Sequence, residues 1–163
     1  EISLVTNQWV NSYKRISGGF EAPISATWSS GNRCTMLRVP RYMPNKSSSR
    51  RVEVRTPDPG CNPHLAFAAI FAAGLKGVEE GYEIPPEAEE DVNLMHPKER
   101  KAMGYPDLPK SLASALACFE SSELMAEALG EHVFEFLIRS KHEEWTRYSR
   151  HVTPFELRHY LSL

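Results

Sequence analysis

The chain has 163 residues, of which 41% are hydrophobic and 25% are charged, a composition typical of one globular domain. The formal net charge of −2 argues against a nucleic-acid-binding protein, and the sequence has no run of about 18 apolar residues that would predict a membrane span. Its three cysteines lack CxxC spacing, which predicts no disulfide framework and favours a cytoplasmic location.

Positive charge is concentrated in one part of the chain. Residues 11–55 contain nine basic and two acidic residues, whereas residues 56–163 contain ten basic and eighteen acidic residues. The acids of the basic segment are Glu21 and Glu53. Its arginines are Arg15, Arg33, Arg38, Arg41, Arg50, Arg51 and Arg55. Guanidinium groups at this density around isolated carboxylates predict a site for a phosphorylated, multiply charged ligand, with or without a metal. A merely solvated arginine-rich surface is the alternative.

The first third of the chain predicts short strands separated by loops. The candidate strands are β-branched or alternating and cover Ile2–Thr6, Ile24–Trp28, Thr35–Val39 and Arg51–Arg55. In the last of these, alternation places Arg51, Glu53 and Arg55 on one face, with a carboxylate between two guanidinium groups. A structural ion pair at Glu53 is an alternative to a functional role.

Predicted helices dominate the remainder. Asn62 as N-cap and Pro63 at the first helical position predict a helix start. The helix over Leu65–Val78 is apolar and alanine-rich on nearly all sides, which predicts a buried helix, and Gly81 is expected to end it. The other predicted helices lie near His96–Ala102 within a polar loop over Tyr82–Pro109, and near Ser111–Glu120, Glu123–Lys141 and Thr153–Leu161. Strands that precede helices indicate the α+β class.

Six motifs carry a family resemblance. In unbroken order they are Asn11-Ser-Tyr-Lys-Arg15, Gly18-Gly-Phe-Glu-Ala-Pro23, Asn32-Arg33, Arg38-Val-Pro40, Arg51-Val-Glu-Val-Arg55 and Pro57-Asp-Pro-Gly-Cys-Asn-Pro63. Together they resemble the C-terminal catalytic region of type I glutamine synthetase. The segments Gln8-Trp-Val-Asn-Ser-Tyr13 and Glu79-Glu-Gly-Tyr-Glu83 resemble its actinobacterial branch. The resemblance extends over almost the whole chain, to Val152-Thr-Pro-Phe-Glu-Leu.

The resemblance implies a fold and a domain assignment. We expect residues 1–163 to be the C-terminal part of the catalytic domain, with short antiparallel strands forming part of a catalytic sheet or barrel and a helical half after them. The chain begins at Glu1 without an initiator methionine. We therefore expect it to be a cut from a longer protein, with the N-terminal β-grasp domain and the first part of the catalytic domain absent.

The resemblance also implies an activity. In this family, ATP phosphorylates the γ-carboxylate of L-glutamate, and ammonia then displaces phosphate from γ-glutamyl phosphate to give glutamine. Two divalent ions, Mg²⁺ or Mn²⁺, assist, and the full-length family forms a dodecamer. Phosphoryl transfer of this kind depends mainly on positioning and charge neutralisation, which arginines and metal ions provide.

On the phosphate side, the resemblance assigns four residues. Glu53 matches a metal ligand, and its carboxylate is a suitable hard donor for magnesium. Arg33 matches the arginine that faces the transferring phosphoryl group. Arg38 and Arg51 match residues that contact the nucleotide phosphates, and Arg33 is a member of this nucleotide-binding set as well.

On the glutamate side, the resemblance assigns three more. Arg15 and Arg55 match residues that hold the glutamate carboxylates, for which a planar guanidinium offers bidentate binding. Glu21 matches a carboxylate on the flap that closes over the glutamate site, where it helps to bind ammonium and accept its proton. Gly18 and Gly19 would give the flap its mobility.

Departures from the family pattern limit these expectations. Most metal ligands of the family would lie upstream of Glu1, so we expect weak metal binding and no activity from the chain alone. Met95 stands where regulated bacterial members carry the tyrosine that is adenylylated, so that control is expected to be missing. Two alternatives stay open, a γ-glutamyl-polyamine or γ-glutamyl-amine ligase of the same family and a non-catalytic truncated assembly module.

Overall fold

The computed structural model describes residues 1–16 and 21–162. The helices of these residues are α1 (Ser3–Thr6), α2 (Ser12–Arg15), α3 (Pro63–Glu79), α4 (Pro97–Ala102), α5 (Leu112–Glu120), α6 (Glu123–Ser149) and α7 (Pro154–Tyr160). The strands are β1 (Trp28–Ser29), β2 (Leu37–Arg38) and β3 (Glu53–Val54), and a 3₁₀ helix covers Ser47–Ser49. This order of elements confirms the α+β class. The predicted mobile glycines, Gly18 and Gly19, lie outside the described residues.

The three strands form one small sheet in the order β1-β2-β3. β2 and β3 pair antiparallel, with Leu37 opposite Val54 and Arg38 opposite Glu53. β1 and β2 pair parallel, with Trp28 opposite Leu37, so the prediction of antiparallel strands is wrong for this pair. The register of the antiparallel pair matters for the site, because it sets a guanidinium directly across from a carboxylate.

Most of the predicted second strand, residues 24–28, bonds to a loop instead of to another strand. The amide of Ala26 donates to the Pro106 carbonyl and the amide of Leu108 donates to the Ile24 carbonyl, both over 2.8 Å. The indole of Trp28 donates to the Pro85 carbonyl over 2.7 Å. The loop between α3 and α5 therefore supplies the backbone partners that a neighbouring strand would have supplied.

The N-terminal segment is helical, so the prediction of a strand over residues 2–6 is wrong. In α1 the amide of Thr6 donates to the Ile2 carbonyl over 3.1 Å. Leu4 and Val5, which are adjacent in sequence, are both fully buried. An alternating strand would place them on opposite faces, and only the packing of α1 against α3 and α5 accommodates both.

Helix α3 begins as predicted. The Asn62 side chain accepts hydrogen bonds from the amides of His64 and Leu65, and Pro63 occupies the first turn. The helix ends at Glu79, and Gly81 follows with a φ of +65°, a conformation that favours glycine.

The prediction that α3 is buried on nearly all sides is wrong for one face. Ala66 and Ala69 are buried against the core. On the other face, the side chains that are more than half exposed are those of Phe67, Phe71, Leu75 and Val78. Because composition gives hydrophobicity and not contact, the sequence alone could not separate the two faces.

The core lies where α1, α3, α5 and α6 meet. Its buried residues are Leu4, Val5, Tyr13, Ile16, Ala69, Leu112, Ala115, Leu116, Phe119, Met125 and Leu137. The rings of Phe119 and Phe134 stack with centroids 4.8 Å apart. Helix α6 runs to Ser149, beyond the predicted end, and kinks at Gly130, where φ is +72°. None of the helices in the described part of the chain has the length and apolar character needed to cross a membrane.

The loop after α3 is fixed by a buried arginine. The Nε of Arg100 lies 3.0 Å from Oδ1 of Asp107, and its Nη1 donates to the Met95 carbonyl over 2.7 Å. Lys110 reaches the second oxygen of Asp107 over 2.8 Å. The hydrogen bond from Arg100, followed by that from Lys110, holds the pKa of Asp107 below its usual range.

We expect Asp107→Asn to lower the free energy of unfolding at pH 7 by about 1 kcal/mol. This is less than the roughly 1.5–3 kcal/mol of a typical charged hydrogen bond, because the carboxylate is one-third exposed. The stabilisation is complete above the unfolded-state pKa of about 3.9 and is lost as pH falls through the lowered folded-state pKa. Urea unfolding at several pH values measures this. Glu99→Gln, an exposed carboxylate on α4, is the control. A difference from wild type that persists at pH 2 would contradict the assignment.

Candidate functional site

Glu53 lies between two guanidinium groups, on the sheet. Its Oε2 is 2.9 Å from Nη1 of Arg38, the cross-strand neighbour, and its Oε1 is 3.5 Å from Nε of Arg51. The sequence predicted Arg51 and Arg55 as the flanking pair. That prediction is half wrong, because Arg55 lies beyond the end of β3, and the register of β2 brings Arg38 there instead.

The charge state of Glu53 follows from this geometry. The hydrogen bond from Arg38 is the main cause that lowers the pKa of the carboxyl group, and Arg51 adds a smaller effect in the same direction. The Nε of Arg38 is buried without a hydrogen-bond partner among the described residues. Arg38 is therefore held by the sheet, while one of its donors stays unused.

Arg55 connects two other candidate residues through their backbone. Its Nη2 donates to the carbonyl of Glu21 over 3.2 Å, and its Nη1 donates to the carbonyl of Arg33. The side chains of Glu21 and Arg33 are exposed. The guanidinium of Arg55 thus holds the backbone at Glu21 next to the loop between β1 and β2, which contains Arg33. Glu21 itself has a φ of +56°, in the left-handed region that costs a residue with a side chain about 1 kcal/mol.

Arg15 holds Arg55 in the same way. Its Nη2 donates to the Arg55 carbonyl over 3.0 Å, and its Nη1 donates to the Thr56 carbonyl over 3.1 Å. Arg15 therefore binds the backbone of Arg55, and Arg55 in turn binds the backbone of Glu21 and Arg33. Each guanidinium donates to two main-chain carbonyl oxygens. Their contact with substrate carboxylates stays a prediction.

Two asparagines of the site region were missed by sequence reasoning. Asn7 is fully buried and donates to the Thr56 carbonyl over 2.9 Å. Asn32 donates to two carbonyls of the loop after α3 and precedes Arg33. Asn32 was visible within a motif, but a bond from an amide to a distant carbonyl has no sequence pattern that would identify it.

The described residues do not form a metal centre by themselves. Within residues 1–16 and 21–162, no three His, Cys, Asp or Glu side chains lie together in a way that could hold a metal ion. Both oxygens of Glu53 face guanidinium groups. A Mg²⁺ site needs six oxygen ligands, so this carboxylate could be at most one of them.

We expect Arg38→Ala to raise the pKa of Glu53 towards its ordinary range, and Arg51→Ala to raise it less, because Arg38 makes the shorter bond. A carbon-13 NMR titration of the Glu53 carboxyl measures both. The control carboxyl is Glu156, whose pKa is lowered by the cap of Thr153 on α7 and should not change. A larger effect from Arg51 than from Arg38 would refute this ranking.

Comparison with known proteins places this geometry in a family. Residues 1–160 match the model of the glutamine synthetase catalytic domain. Over 163 residues the chain is 62% identical to the glutamine synthetase of Mycobacterium tuberculosis and 60% identical to that of Mycolicibacterium smegmatis. Each alignment covers 100% of this chain and 36% of the relative, so the chain spans little more than a third of the length of these proteins.

Solved structures agree with the sequence relatives. The chain superposes on GmaS in its ADP complex with a TM-score of 0.84 at 30% identity, and on GmaS without ligand with a TM-score of 0.82 at 31% identity. The first match covers 99% of this chain and 36% of the GmaS chain. The match of the family model over residues 1–160 and the identity to the mycobacterial enzymes show that the chain belongs to the glutamine synthetase catalytic-domain family.

Proposed function

We propose that this chain is part of a cytoplasmic glutamate–ammonia ligase, which uses ATP to join ammonia to the γ-carboxylate of L-glutamate through γ-glutamyl phosphate. Family membership supports the reaction class. The observation that carries the proposal is the bonding of Arg55, whose guanidinium holds the backbone of both Glu21 and Arg33. Arg55, proposed to bind glutamate, therefore lies next to Glu21, proposed to bind ammonium, and to Arg33, proposed to face the phosphoryl group.

The arginines of the sheet region would bind ATP. Arg38 and Arg51 would neutralise the nucleotide phosphates, and Arg33 would face the phosphoryl group during its transfer. Charge neutralisation of this kind is worth most when the donors are already oriented. The register of β2 and β3, with Glu53 paired to Arg38, supports such an orientation for Arg38.

Arg15 and Arg55 would bind glutamate. A guanidinium has five N–H donors in a plane, so a group that holds two carbonyls keeps donors for a substrate carboxylate. Glu21 would attract ammonium and accept a proton as the amide bond forms, while closure of the flap excludes water from the acyl phosphate. The exposure of Glu21 leaves its carboxylate available for that role.

Mg²⁺ or Mn²⁺ would polarise the phosphates when bound. The chain by itself does not fit such an ion, because Glu53 is a single carboxylate that two arginines already engage. We propose Glu53 as one metal ligand, with the others supplied by polypeptide outside these residues. The need for ligands outside these residues leads us to propose an inactive isolated chain. Family membership leads us to propose a homo-oligomeric parent, dodecameric as in the full-length family.

We expect the chain to bind ATP with Mg²⁺ weakly, and Arg38→Ala and Arg51→Ala each to weaken binding about tenfold, the effect of losing one charged contact of about 1.4 kcal/mol. Isothermal titration calorimetry measures the dissociation constants. Arg150→Ala, an exposed arginine at the end of α6, removes the same charge away from the site and is the control. Equal heats from wild type and both site variants would count against a nucleotide site here.

We expect a full-length protein that carries this chain to release phosphate from ATP when glutamate and ammonium are both present, and to prefer ammonium over putrescine or spermidine. An amine pocket is the feature that separates glutamine synthetase from the γ-glutamyl-polyamine and γ-glutamyl-amine ligases. Phosphate release and product identity by mass spectrometry decide between them. A clear preference for a polyamine would replace the proposed reaction with that of the amine ligases.

A further inference from the structure

We propose that Asn32 is a positioning residue for Arg33. It would fix the backbone from which the guanidinium of Arg33 reaches the phosphoryl group, by tying that backbone to the loop after α3. The inference rests on the proposed function and adds to it a residue that does not itself touch substrate.

The side chain of Asn32 uses both of its polar atoms. Its Nδ2 donates to the Glu90 carbonyl over 2.6 Å and to the Ala88 carbonyl over 3.2 Å. Its Oδ1 accepts from the amide of Cys34 over 2.8 Å. The amide group thus joins the residue after Arg33 to two main-chain oxygens more than 50 positions away in the sequence.

The main chain of Asn32 is held as well. Its amide donates to Oγ of Ser29 over 3.0 Å, and its carbonyl accepts from Oγ1 of Thr35 over 3.1 Å. The next carbonyl, that of Arg33, accepts from Arg55. The backbone of Arg33 is therefore bonded on both sides and at its own oxygen.

One of the two acceptors of the Asn32 side chain, Ala88, is well fixed. Ala88 is buried, and its amide donates to the Trp28 carbonyl over 3.0 Å. Nearby, Oε1 of Glu87 accepts three bonds from Ser29 and Ser30. Residues 87–90 of the loop after α3 are therefore bonded to residues 29–32, the turn that contains Asn32. A shift of either segment would move the other.

This arrangement matters because Arg33 is exposed and long. An exposed arginine does not have its position set by packing, so the backbone must define where its guanidinium starts. Catalysis by positioning is sensitive to small errors, and a displacement of about 1 Å can cost about a hundredfold in rate. Loss of the Asn32 tether should therefore reduce the rate of the chemical step more than it reduces ATP binding.

The test is Asn32→Asp in the full-length protein. Aspartate has the same shape and can still accept from Cys34, but it cannot donate to the two carbonyls and would repel them. We expect kcat to fall about tenfold or more, with KM for ATP changed less than about twofold. Asn62→Asp is the matched control. Among the described residues the Asn62 side chain bonds through its oxygen alone, as a helix cap, so the substitution should leave both constants unchanged.

A double-mutant cycle with Arg33→Lys distinguishes positioning from a general loss of structure. If Asn32 acts through Arg33, then Asn32→Asp in the Arg33→Lys background should lower kcat by less than about twofold. Equal factors in both backgrounds would overturn the inference, as would an unchanged kcat in Asn32→Asp.

A second variant and a second measurement keep the outcome decisive. Should Asn32→Asp fail to fold, Asn32→Ala removes the same donor without adding charge and enters the same cycle. Hydrogen exchange should rise together in residues 32–35 and 88–90 of the variant, and independent behaviour of these segments would refute the tether.

The failure of this inference can be told apart from the failure of the proposed function. A full-length protein with no glutamate-dependent ATP turnover would overturn the proposed function and the role of Asn32 together, whereas equal factors in the double-mutant cycle would overturn the role of Asn32 alone.

Discussion

The carbonyl oxygen of Thr56 joins the helical core of this chain to its arginine-rich region. It accepts hydrogen bonds from Asn7, which follows α1 and is fully buried, and from Arg15, which ends α2. The amide of Asp58 also donates to the Thr6 carbonyl over 2.8 Å. A charged donor and a buried amide on one oxygen fix the exit of the chain from β3, and the positions of the arginines on either side depend on it.

Much of the architecture could be predicted because it is encoded locally. The cap of Asn62, the proline after it and the glycine after α3 depend on neighbouring residues, and the structure has each as expected. The pairing of Glu53 with arginine was also predictable, since a carboxylate among guanidinium groups will find one of them. Which arginine it finds depends on strand register, and register is a property of the sheet and not of one segment.

The predictions that were wrong concern features that depend on residues distant in the chain. Residues 2–6 have a strand-like composition, yet packing on α3 and α5 favours a helix for so short a segment. The exposed face of α3 could not be foreseen from its composition, which is apolar on both sides. Arg15, Arg55 and Asn32 bond mainly to backbone carbonyls, and every residue of a protein offers such a carbonyl, so these bonds leave no trace in the sequence.

The bonds of Arg15 and Arg55 to neutral oxygens give the region an unequal sensitivity to ionic strength. The attraction between two charges that are both in partial contact with solvent, as in Arg51 with Glu53, is screened over about 8 Å at physiological salt. A guanidinium that donates to a neutral carbonyl has no opposite charge whose attraction salt could screen. Added salt should thus loosen the contact between Arg51 and Glu53, while the hydrogen bonds that hold the backbone of Glu21 and Arg33 stay in place.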